Sequence, residues 1–191
     1  MNPVDLAAFQ RLRVGPDGQK LKADGQLGPR TQWAMDLEQL PAWRQRVVLG
    51  ALKWVGLTET STNQGPEIDA WLQACGVHSG NPWCAAFVSA ILRSAGIECA
   101  EASVSHLARR FPETDVPLPG DVSFWVRDDG TGHCGIVTGV EPDRVSTVEG
   151  NSGNAVRAGL RLMHGLSFCR PYGNGLPAVL DSLPTLGKVT L

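Results

Sequence analysis

Up to Gly96 the apolar residues of this chain recur at helical spacing; after it they come in short β-branched runs parted by turn residues. AWRQRVVLGALKWVGL and CAAFVSAILRSAG belong to the first kind, and DVSFWV, HCGIVTGV and DRVSTVE, separated by DDGTG and EPD, to the second. A 3.6-residue period followed by a two-residue period predicts helices first, then a meander of antiparallel strands. That order is the α+β arrangement, in which helices are segregated to one face of an antiparallel sheet.

The first 41 residues form a unit of their own in this reading. Val4, Leu6, Phe9 and Leu12 mark one short helix, a turn-rich segment runs from Gly15 to Gly28, and Pro29 opens a second helix carrying Trp33, Leu37 and Leu40. Beyond Pro41, a helix with Trp43, Val47, Leu49, Ala51 and Trp54 is expected, then a polar loop and a short helix from about Pro66 to Cys75. AVRAGLRLM and SFCRPY are expected to form a last strand pair, and residues 174–191 a Pro- and Gly-rich tail.

Charge narrows the function classes. Seventeen Lys and Arg stand against 19 Asp and Glu, with no basic run longer than Arg109-Arg110, which argues against nucleic acid as a ligand. No stretch approaches the ~18 apolar residues of a membrane span, and the N-terminus lacks the basic and apolar regions of a signal peptide. Synthesis in the cytoplasm without a signal peptide, no membrane insertion and a monomeric state are therefore expected. The five cysteines are odd in number and contain no C-x-x-C pair, so reduced thiols are expected rather than a disulfide framework.

One thiol has a distinctive address. In NPWCAAFVSAILRSAG, Cys84 follows an Asn-Pro-Trp turn and opens a helix. The positive end of the helix dipole and its unpaired N–H groups stabilise a thiolate there. Position alone favours a small packing residue, since free cysteine is among the most buried residue types. A nucleophile also needs a base with an orienting partner. Of the four histidines, His133 begins a strand directly after DDGTG. If HCGIVTGV and RVSTVEGN form a hairpin centred near Pro142, His133, Gly135 and Val137 share a face with Thr147, Glu149 and Asn151. His133 then lies opposite Asn151 and diagonal to Glu149, and either could orient the imidazole. Gly135 and Gly150 would leave room for the helix end that carries Cys84. A zinc site on His133 and Cys134 is disfavoured, because neighbouring strand residues point to opposite faces.

Two resemblances add to this. DGQLGPRTQWAM, with Phe9 and Gln10 upstream, resembles the signature of the small helical peptidoglycan-binding domain, in shortened form over residues 1–41. NPWCAAFVSAILRSAG, PLPGDVSFW, GHCGIVTGV, VSTVEGNSGNAV and FCRP, in that order, resemble the CHAP amidohydrolase/peptidase family of the NlpC/P60 papain-like superfamily, over about residues 42–173. The resemblance implies a papain-like α+β core, Cys84 as nucleophile, His133 as base and Glu149 and Asn151 as orienting residues. It implies bacterial peptidoglycan as the partner, cut at an amide bond between muramic acid and L-alanine or within its peptides. The acidic calcium loop that some phage members carry before the cysteine has no counterpart in CGVHSGNPW, so no metal or other cofactor is expected. Trp83, Trp125 and Asn63 are candidate substrate contacts, with Asn63 or Gln64 as an oxyanion donor. A phage endolysin is the expected setting. The alternatives are a secreted antibacterial effector and a non-catalytic wall-binding or virion protein.

Overall fold

The structure, a computed structural model, describes residues 2–171; the tail expected at 174–191 lies outside the described residues. Within them the helices are α1 (Pro3–Arg11), α2 (Pro29–Gln39), α3 (Ala42–Leu52), α4 (Pro66–Gln73), α5 (Cys84–Ser94) and α6 (Val104–Arg110). The strands are β1 (Val122–Val126), β2 (Gly132–Val140), β3 (Arg144–Glu149), β4 (Arg157–Leu162) and β5 (Ser167–Cys169). Helices precede strands, and the fold is α+β and papain-like, as expected.

Helix α5 is the centre of the molecule. Pro82 cannot continue a helix backwards through Trp83, whose backbone is non-helical, and Gly96, at φ 88°, ends it in a conformation that costs glycine little. Eight of its eleven residues, from Cys84 to Leu92, are buried, because α3 and α4 cover one side and β2 and β3 the other. Truncating Phe87, which has no exposed surface, would remove about 3–5 kcal/mol.

All strands pair antiparallel in the order β4-β3-β2-β1-β5. The expected last strand pair exists as two strands, but they do not pair with each other: β4 joins β3 at one edge and β5 joins β1 at the other. A flat sheet would hold those edges about 19 Å apart. The link between them is only residues 163–166, and it is closed into a turn by a 2.9 Å bond from the Leu166 amide to the Met163 carbonyl. The sheet must therefore curl until its edges approach. Its convex side takes α5, and Val137, Val145 and Phe168 pack together on its inner side with Met163 and Leu166.

The β2–β3 register matches the expected one over Ile136–Val148 and Val137–Thr147; a bulge between Val137 and Gly139 then shifts the turn end by one residue. That end is also where α2 docks, the Trp33 indole donating to the Thr138 carbonyl at 2.7 Å. A buried cluster fixes the entry to β1. Asp121 accepts from Arg44 of α3 at 2.8 Å and from Arg170 after β5 at 3.0 Å.

The N-terminal motif has a structural explanation. Gln10 is buried, and its amide donates to the Gln26 carbonyl at 2.9 Å and to Thr31 Oγ1 at 3.0 Å, while its oxygen accepts from the Gly25 amide at 2.9 Å. Gly25, at φ 70°, could not carry a side chain, because a Cβ would stand 2.5 Å from the Pro3 carbonyl oxygen. The Q…DG…T pattern thus ties α1 to the start of α2.

Candidate active site

The end of β3 is pressed against the first turn of α5. A Cβ on Gly150 would lie 2.6 Å from Phe87 Cβ and 2.8 Å from Trp83 Cζ3, so only glycine allows this approach. Gly135 plays a different part from the one expected of it. The space above it is filled by Glu149, whose Cγ would be 2.6 Å from a Cβ at that position. The carboxylate leans across Gly135 towards the start of β2.

There it meets His133. The imidazole Nε2 lies 3.0 Å from Glu149 Oε2, and since a carboxylate only accepts, Nε2 carries the proton. That leaves Nδ1 for Cys84. Of the two candidate orienters, the hydrogen bond falls to Glu149; among the described residues none joins Asn151 to the imidazole. Asn151 instead takes a left-handed backbone, φ 55°, just beyond β3.

Glu149 is 4% exposed, and its oxygens are fully engaged. Thr147 Oγ1 donates to Oε1 at 2.7 Å, Arg161 Nε to Oε1 at 2.8 Å, and Arg161 Nη2 to Oε2. Burial alone would raise the carboxyl pKa, but the bonds from Arg161, His133 and Thr147 outweigh it and hold it at about 2.

The thiol and imidazole shift in opposite directions. Cys84 is pulled down to about 5, most strongly by a hydrogen bond from the Cys134 thiol, against the cost of burial, with His133 and the Ala85 amide adding to the effect. Burial pushes His133 down, yet its bonds and charge interactions with Cys84 and Glu149 carry it up to about 9. The two shifts run in the directions that favour a Cys84 thiolate beside a His133 imidazolium. Cys134 is driven well above the ordinary thiol range by the same contact with Cys84 and by burial, so it stays protonated and donates.

His133, Glu149 and Arg161 line a cavity of about 210 Å3, together with Trp125 and the β4–β5 turn at His164 to Leu166. Trp125 sits beside His133, ring centroids 6.3 Å apart, under the Arg127 guanidinium. Two expected substrate contacts lie elsewhere. Trp83 has no exposed surface: its ring packs against Trp71 and its Nε1 donates to Glu59 Oε1 at 2.8 Å, which makes it a core residue. Asn63 donates from Nδ2 to the Gly80 carbonyl at 3.2 Å and so braces one loop against another.

Cys134 and Arg161 were missed by sequence reasoning. Strand alternation turns Cys134 to the face opposite His133, although the two adjoin in one motif. Arg161 had a readable signal, since Arg157, Gly159 and Arg161 share a face with Glu149 once β3 and β4 pair. Among the described residues, no three of His, Cys, Asp and Glu are grouped to hold a metal ion.

Residues 76–151 match the CHAP domain, a family of the NlpC/P60-like cysteine peptidase and amidase group. No curated protein matches the chain. The matched span runs from the loop before Cys84 through Asn151, and Arg161 lies beyond it.

Proposed function

From the premise that this chain carries a CHAP domain, a type that in general hydrolyses peptidoglycan as an amidase or endopeptidase, we propose that Cys84, His133 and Glu149 perform that hydrolysis here. The observation that carries the reading is the 3.0 Å contact of His133 Nε2 with the buried Glu149 carboxylate, with Cys84 opening α5 as a thiol whose pKa is lowered in part by that histidine.

The Cys84 thiolate adds to the amide carbonyl carbon, and unpaired N–H groups at the start of α5 hold the oxyanion. The proton on His133 Nδ1 passes to the leaving amine as the C–N bond breaks, which leaves a thioester. Neutral His133 then takes a proton from water as its oxygen attacks the thioester, and the thiolate departs. Glu149 keeps the ring oriented throughout. Trp125 forms a wall of the groove.

In this reading residues 1–41 are a wall-binding segment docked on the catalytic unit of residues 42–173, and the enzyme serves phage-induced lysis. Digestion of purified peptidoglycan by wild type and Cys84→Ala, with new termini identified by mass spectrometry, tests the chemistry. Loss of all new ends in the variant is expected; undiminished cleavage would sink the mechanism. Free L-alanine ends identify an amidase, and new ends within the peptides an endopeptidase. Lysis of an expressing cell only after its inner membrane is permeabilised is the outcome expected of a lysis enzyme.

A further inference from the structure

We infer that Arg161 is a positioning residue for the Cys84–His133 pair, acting through Glu149. The inference rests on the cysteine reading above.

The register makes the placement specific. On edge strand β4 the residue opposite Glu149 is Arg157, yet Arg157 donates to the Gly153 carbonyl at 3.3 Å. Arg161, opposite Val145, reaches back along the strand instead, and Gly159 between them has no side chain in the way. Its Nε and Nη2 take the two carboxylate oxygens separately, a fork-on-fork contact that a point charge cannot reproduce.

The consequence is geometric. Oε2 is the oxygen that accepts from His133 Nε2, and Oε1 is shared between Arg161 and Thr147. With both oxygens pinned, the carboxylate cannot turn about its Cγ–Cδ bond, and the imidazole plane, hence the direction of Nδ1, is set. The arginine itself is 48% exposed and its partner 6%. The guanidinium thus caps a buried carboxylate from the solvent side, and its fork fixes which way the two oxygens face.

The test uses the full chain with Arg161→Gln and Arg161→Lys. Its first readout needs no peptidoglycan: the rate of Cys84 alkylation against pH, read by mass on the Cys84 peptide, with His133 titrated by NMR. In Arg161→Gln, Glu149 loses its strongest charge-stabilising contact and protonates at higher pH. The acid limb of alkylation therefore moves up and His133 titrates differently. On peptidoglycan, kcat falls about tenfold or more with KM little changed. Arg161→Lys restores charge but not the fork, so it recovers the alkylation midpoint more fully than kcat. A normal wild-type profile with an unchanged Arg161→Gln profile and His133 titration would overturn the inference alone. A wild type whose alkylation shows no depressed midpoint would overturn the cysteine reading and this inference with it.

Discussion

Gly135 and Glu149 occupy the same space: the side chain that β2 omits at Gly135 is the room through which Glu149 leans to His133, with only 2.6 Å between the place of a Cβ and Glu149 Cγ. Because Val148 O would also lie 2.9 Å from that Cβ, neither neighbour can move aside without disturbing the β2–β3 ladder. Gly135→Ala is thus expected to cost about 1–3 kcal/mol of stability through overpacking. Hydrolysis should fall at least tenfold, about the cost of a misplaced catalytic group. Thermal melts and initial rates on peptidoglycan check the pair of effects; full activity in the variant would contradict the placement of Glu149.

The pH profile follows from the two opposed shifts. Cys84, lowered to about 5, is a thiolate above that value, and His133, raised to about 9, is an imidazolium below it, so activity should plateau between them. The two limbs belong to the coupled pair rather than to either residue alone. Glu149→Gln removes a cause that raises His133, so the alkaline limb should move to lower pH, measured as kcat/KM across the range. An alkaline limb that stays in place would mean that the carboxylate does not act on His133.

Cys134 supplies the largest lowering of the Cys84 pKa. Cys134→Ala should then shift the acid limb of Cys84 alkylation upward, while Cys134→Ser, which keeps a donor, should shift it less. Profiles of both variants that coincide with wild type would remove Cys134 from the site.

At the N-terminus, Gln10→Ala would leave Thr31 Oγ1, the Gln26 carbonyl and the Gly25 amide without their shared partner. A loss of about 1–3 kcal/mol is expected for such unsatisfied groups. Peptidoglycan co-sedimentation of this variant should weaken while hydrolysis of soluble fragments persists, if the α1–α2 unit is what holds the wall. Unchanged co-sedimentation with a lowered melting temperature would leave the motif a purely structural one.

The segregation of helices and strands, the α5 address of Cys84 and the hairpin face of His133 and Glu149 were legible because each rests on a local period. The choice of Glu149 over Asn151 was not, because it depends on Asn151 turning left-handed just past the strand. Trp83 beside a helix start suits either a groove wall or the core, and the distant Glu59 carboxylate and Trp71 ring decide for the core. The pairing of β4 and β5 with opposite edges was equally hidden, since a four-residue link usually joins neighbours. Sheet curvature, which made it possible, is a property of the whole sheet and has no short sequence mark.

That four-residue link also decides where this fold can diversify. Residues 163–166 close the sheet and at the same time supply His164, Gly165 and Leu166 to the cavity, yet none of them bonds to Cys84, His133 or Glu149. Exposed turns tolerate insertion far better than the elements they join. Lengthening this turn would reshape the cavity beside a fixed His133–Glu149 pair, so it is the natural place to graft new ligand preferences.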